Sequence, residues 1–239
     1  MKLLLLFYSL IFWQSDFYCQ VLQKSYPDTV LYCEEQMVLS DNSLVPYYDE
    51  KILRNIESMM QGPDVASVFY FYYDYSGLSR TDAGRVRLYP LLQAAYGKNR
   101  QNIEANLVGV PFRDKTVPFN KQNGAAAALK LVFDDLEILL AHRPELEKYV
   151  TELQTYNYRR IAGLGLLSAH SFGIAIDLSP SLGHYWRWDK NWREKILPDY
   201  PREIIQIFET HGFIWGGRWE HYDTMHFEYR PEFLELLKH

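Results

Sequence analysis

The 239-residue chain has only two cysteines, Cys19 and Cys33. That is too few for a cysteine zinc site or for a disulfide framework, so any metal must be held by His, Asp or Glu. A basic stripe is also missing. The net charge is −5, and no nucleic-acid partner is expected. No apolar run reaches the roughly 20 residues that a membrane span needs. The apolar N-terminal stretch, Leu3 to Trp13 behind the single positive charge of Lys2, has instead the form of a secretory leader. No A-x-A-like cleavage site follows it. Residues 1–19 are therefore read as a signal segment and the protein as exported, to the periplasm or cell envelope. A membrane enters only if Cys19 is lipidated, and Asp16-Phe17-Tyr18 makes a poor lipobox. There is no internal repeat and no low-complexity segment. H-E-x-x-H is absent, which removes the helical zincin reading.

What remains is globular in composition, with 48% apolar and 23% charged residues. The length allows one domain and a small extension. Residues 20–64 are read as an N-terminal extension and residues 65–239 as the main domain. Tyr47 to Gly62 has helical apolar spacing and a glycine stop, while Val65 to Tyr75 is β-prone. Asn123 to His142 predicts the clearest helix, capped by Asn123, with Leu129, Val132, Phe133, Leu136, Leu139 and Leu140 on one stripe. Further helices are expected from Pro144 to about Leu153, after Pro201, and from Pro231. Helices and strands do not alternate regularly, so the class is α+β.

Two segments carry candidate chemistry. In "SAHSFGIAIDL", Gly173 to Leu178 alternates with period two: Ile174, Ile176 and Leu178 take one face, Gly173, Ala175 and Asp177 the other. That second face is nearly bare apart from Asp177, and a bend at Gly173 can return His170 over it. In "DTMHFEY", His226 and Glu228 share a face opposite Met225, Phe227 and Tyr229, and Asp223 stands at the strand entrance. If the two strands are neighbours, His170, Asp177 and His226 converge. Two imidazoles and a carboxylate suit a catalytic zinc site with one position open to water. Such a site also needs a carboxylate to move the water's proton, for which Asp223 is placed, and a cation for the developing oxyanion. Arg159 and Arg160 are upstream candidates for the cation. Singly, each residue also has a plain structural role open to it, as a hydrogen-bonded histidine, a turn aspartate or a surface arginine. His184 and His221 are candidate rim residues.

The first segment resembles the S-x-H-x-x-G-x-A-x-D motif of the zinc D,D-carboxypeptidase and L-alanyl-D-glutamate endopeptidase family, through Ser168, His170, Gly173, Ala175 and Asp177. "DTMHFEY" is similar to its second motif, and "YNYRRIAG" and "GFIWGGRW" resemble the endopeptidase branch. The resemblance covers roughly residues 65–239. It implies a small antiparallel sheet flanked by helices, with the zinc site on the open face of the sheet, as in Hedgehog-like and D,D-peptidase-like domains. It further implies His170, Asp177 and His226 as zinc ligands, Asp223 as acid/base, Ser168 as a contact to the substrate backbone, and Arg159, favoured over Arg160, as the group polarising the scissile carbonyl. Many relatives have Glu where Asp223 stands, which weakens a dipeptidase reading. Relatives often have Asn just after the position of Asp177, where this chain runs Leu178-Ser179-Pro180.

The expected function is hydrolysis of peptidoglycan stem peptides, at the L-Ala–D-Glu bond, by zinc-bound hydroxide in a monomer. The first alternative is a D-Ala-D-Ala carboxypeptidase. The second is a non-catalytic zinc-containing wall-binding module, for which an acid/base would be superfluous.

Overall fold

The computed structural model describes residues 17–34, 36–47, 56–77, 81–161, 163–188 and 200–239. The leader stretch Leu3 to Trp13 lies outside them, as does the first half of the helix expected over Tyr47 to Gly62. Among the described residues the architecture is mixed, with helices around three small antiparallel sheets. No described helix is long and apolar enough to cross a membrane.

The chain opens with a helix, α1 (residues 17–25), then strands β1 (Val30–Cys33), β2 (Gln36–Leu39) and β3 (Leu44–Pro46) in a meander. Cys19 bonds to Cys33. It is a single bridge and not a disulfide framework, and the Cys19 side chain is buried. Cys19, Leu22, Tyr26, Met37 and Leu39 join the same hydrophobic core as the residues beyond position 65. The segment read as an extension thus packs into the body of the protein.

α2 (Ile56–Gln61) forms where helical spacing predicted it. The β-prone stretch that follows becomes a short helix, α3 (Val65–Phe69). Asp64 caps it through a reciprocal box: its carboxylate accepts from Ser67 N at 2.7 Å, and Ser67 Oγ accepts from Asp64 N at 2.9 Å. That local closure, with Val65 and Val68 buried, outweighs a weak strand preference. α4 (Tyr89–Tyr96) ends at Gly97, and α5 (Arg100–Ala105) leads into the hairpin β4 (Leu107–Phe112) and β5 (Lys115–Asn120).

The long helix α6 (Ala125–His142) buries Leu129, Val132, Phe133, Leu136 and Leu140, five of the six residues of the expected stripe, with Leu139 half-buried. Its cap differs from expectation. Gly124, at φ 74°, precedes the helix, while the Asn123 side chain donates to Ser25 O and Tyr96 OH instead. A longer-range demand on the amide overrides its capping preference. The helix expected from Pro144 to Leu153 is a 3-10 turn over Pro144–Tyr149.

The third sheet positions the site. Its order is β6 (Leu153–Gln154), β7 (Ala175–Leu178), β9 (His226–Tyr229), β8 (Phe213–Trp215), all antiparallel. α7 (Arg202–Thr210) packs on β8 with Ile204, Ile205 and Phe208 inward, and α8 (Pro231–Leu236) follows β9. Phe208 stacks on Phe227 with ring centroids 4.0 Å apart. The face opposite the site is therefore sealed by aromatic packing, which holds β7 and β9 in register.

Candidate metal centre and cleft

Asp177 of β7 and His226 of β9 are direct cross-strand partners. Period-two alternation puts both side chains on one face. His170 sits in a 3-10 turn, Ala169–Phe172, that Ser168 caps by accepting from Ser171 N. The turn closes at Gly173 with φ 69°, where a Cβ would meet Leu107 Cδ2 at 2.6 Å. A glycine there serves both the left-handed backbone and the close approach of β4. This reversal brings His170 over the sheet face.

Three donor atoms then converge. His170 Nε2 lies 3.1 Å from Asp177 Oδ1 and 3.1 Å from His226 Nδ1, and His226 Nδ1 lies 3.0 Å from Asp177 Oδ1. Zinc donors ~2.1 Å from the ion at tetrahedral angles would stand about 3.4 Å apart, so the triangle is close to the size required. The partners on the far side of each ring decide what faces inward. His170 Nδ1 donates to Thr155 O at 2.6 Å, and His226 Nε2 donates to Glu228 Oε2 at 3.0 Å. With both rings neutral, the inward atoms would be two bare imidazole nitrogens and a carboxylate oxygen, three acceptors with no donor among them. Such a set calls for a cation or a proton. Burial works against charge on His226, but hydrogen bonds to Asp177 and Glu228 outweigh it and push the ring up to about 10. Burial would raise Asp177, yet the two histidines hold it well below the usual carboxylate range. His170, Asp177 and His226 could together hold a metal ion.

The triangle opens into a cleft of ≈ 390 Å³. Asp223 lines it, and its Oδ1 is buried without a hydrogen-bond partner. Burial pushes its carboxyl up to about 6, against the pull of His226 and His170. Asp223 is held by backbone contacts: its N–H donates to Gly216 O at 3.0 Å, and it bridges to Tyr185. Arg159 lines the cleft, and its guanidinium favours the ionised form of Asp223. Arg160 instead donates to Gly165 O within its own loop. Ser168 borders the cleft while its hydroxyl caps the His170 turn. Tyr185, Trp186, Trp188 and Trp219 form apolar walls. Among the candidate rim histidines, His221 lines the cleft and pairs with Asp82 at 2.7 Å.

Two features escaped the reading of the sequence. Glu228 shares a face with His226, and its i, i+2 spacing sets it beside the ring, where it accepts from Nε2. The face above Ala175, expected to be bare, is filled. Ala175 pairs with Glu228 across the strands, and Glu228 is bound there by Arg87 and Arg230.

Residues 162–229 match the family described as D-alanyl-D-alanine carboxypeptidase. The matched segment is less than half of the chain and contains Ser168, His170, Asp177, Asp223 and His226. It supports the family resemblance drawn from the two motifs, and a peptidase of that type. No curated protein and no solved structure matches the chain.

Proposed function

We propose, from the premise that this chain is a peptidase of the D-alanyl-D-alanine carboxypeptidase type, that it is an exported zinc metallopeptidase cutting peptidoglycan stem peptides at the L-Ala–D-Glu bond. The observation that carries the reading is the meeting, in one cleft, of three inward acceptors with Asp223, whose Oδ1 is buried without a hydrogen-bond partner.

His170, Asp177 and His226 would hold the ion. When bound, zinc supplies a Lewis acid and lowers the pKa of a water molecule toward neutrality. The rest belongs to the chain. Asp223 takes the proton of the attacking water and delivers it to the leaving amine. A carboxyl raised toward neutrality suits both halves of that exchange, because it neither holds nor releases the proton too firmly. Arg159 steadies the oxygen on which negative charge develops. Ser168 contacts the peptide backbone at the cleft floor. The aromatic walls exclude water and strengthen these interactions. Aspartate at position 223, in place of the glutamate found in many relatives, occurs in the endopeptidase branch and weakens a dipeptidase reading.

Mass analysis of products from purified stem peptides tests the assignment. Cleavage between L-Ala and D-Glu is expected. Loss of a single terminal alanine would replace it with the carboxypeptidase reading. Binding without any cleavage, in the presence of zinc, would leave only a wall-binding module. Chelation by EDTA is expected to stop hydrolysis and added zinc to restore it.

A further inference from the structure

Behind His226 runs a buried chain of charge that the peptidase chemistry does not use. Glu228 Oε1 accepts from Arg87 Nε at 3.1 Å and from Arg230 Nη1 at 3.1 Å. Its Oε2 accepts from Arg87 Nη2 and from His226 Nε2. Arg230 also donates to Gly84 O at 2.6 Å and to Glu232. Glu232 in turn accepts from Tyr26 OH at 2.8 Å. Glu228 and Tyr26 are 0% exposed, Glu232 1%, Arg230 2% and Arg87 6%.

Burying four charged side chains is expensive. Apolar residues of similar volume often stabilise a core as well or better, so such a network is weak evidence for stability alone. Its arrangement is informative. Two guanidinium groups balance two carboxylates, so Glu228 is neutralised without drawing a proton from His226. The remaining lone pair on Oε2 is aimed at the ring nitrogen turned away from the metal triangle.

We propose that Glu228 is a positioning residue for the metal centre: it accepts the Nε2 proton of His226, which keeps the Nδ1 lone pair turned toward Asp177 and His170. Arg87 and Arg230 clamp the carboxylate in that pose. Arg230 is held in turn by Glu232, and Glu232 by Tyr26, so the disulfide-bridged N-terminal segment reaches the back of the site. Glu228 does not touch substrate or reacting atoms.

The inference rests on the metal-binding part of the function proposed above and not on hydrolysis. A chain that binds zinc and cuts nothing would defeat the peptidase reading and leave this one standing. Failure of the wild-type protein to bind zinc would defeat both. The zinc-loaded wild-type protein, labelled with ¹⁵N-histidine, gives the direct test. Long-range ¹H–¹⁵N correlation is expected to show His226 with metal-bound Nδ1 and protonated Nε2. Metal on Nε2, or an unprotonated Nε2, overturns the proposal. Glu228→Gln is the second arm, with folding checked by circular dichroism. It is expected to weaken zinc binding about 10- to 100-fold in chelator competition and to shift the visible bands of the cobalt-substituted protein. A folded variant with wild-type affinity and unchanged cobalt bands overturns it. If the variant does not fold, the wild-type NMR result decides alone.

Discussion

At the scale of single residues, the site combines groups whose environments pull in opposite directions. Asp177 is kept ionised by two histidines, while Asp223 is pushed up to about 6 by burial. Carboxylates separated in this way can take different tasks, one holding a cation and the other moving a proton. Asp223→Asn is expected to abolish turnover while zinc remains bound, as measured by product mass and metal content. The same change should stabilise the metal-free protein. The folded-state pKa of Asp223 exceeds the unfolded value of about 3.9. Stability linked to this proton is therefore full below pH ~4 and lost as pH rises through about 6. Replacing the carboxylate should raise the melting temperature at pH 7.5 by an amount that shrinks toward pH 4. His226 carries the complementary expectation. With its ring pushed up to about 10 in the absence of metal, zinc must displace a proton near neutrality. Affinity should rise about tenfold per pH unit between pH 6 and 8, measured by competition with a chelator whose own pH dependence is known.

Among elements, the β7–β9 pair and the two reversals beside it place these groups. His170 reaches the cluster only because the 3-10 turn closes at Gly173. Asp223 reaches the cleft because the 3-10 turn Gly216–Arg218 comes close beneath its loop. A Cβ at Gly216 would lie 2.5 Å from Asp223 O and 3.3 Å from Asp223 Cβ. Gly216→Ala should therefore displace the Asp223 loop. The expected outcome is a tenfold or greater loss in kcat with some loss of zinc affinity as well, because His226 N–H donates to Asp223 O at 3.2 Å; steady-state kinetics beside a metal titration checks this. The strand alternation that placed Asp177 with His226 and Glu228 was readable from the residues, because only a period-two reading puts the polar positions on one face. The fate of Val65 to Tyr75 was not. Eight aromatic or β-branched residues favour a strand until the Asp64–Ser67 cap and the surrounding core select a helix over Val65–Phe69.

For the whole molecule, the N-terminal segment is joined to the body by the shared core, while the Cys19–Cys33 bridge closes that segment on itself. The bridge spans a sequence separation of 14, and closing a loop of that size contributes on the order of 3 kcal/mol. Replacing both cysteines with serine should lower the melting temperature by several degrees, measured by scanning calorimetry of the otherwise identical protein. A second buried tie, Glu209 with Arg218 and Tyr73, fastens residues 73–77 over the sheet. The Tyr73–Glu209 contact joins residues 136 positions apart, which no local pattern reveals.

The residues alone indicated the candidate ligand types, their origin in two separated segments, the long helix and the α+β class, because periodicity and donor chemistry are local properties. Only the tertiary structure decided that β7 and β9 are neighbours in the register that pairs Asp177 with His226. It also decided that the cysteines meet, that Arg159 rather than Arg160 borders the cleft, and that Glu228 stands behind a ring with two arginines around it. Those facts depend on how distant segments pack, and burial, not sequence spacing, sets the protonation and direction of the groups they bring together.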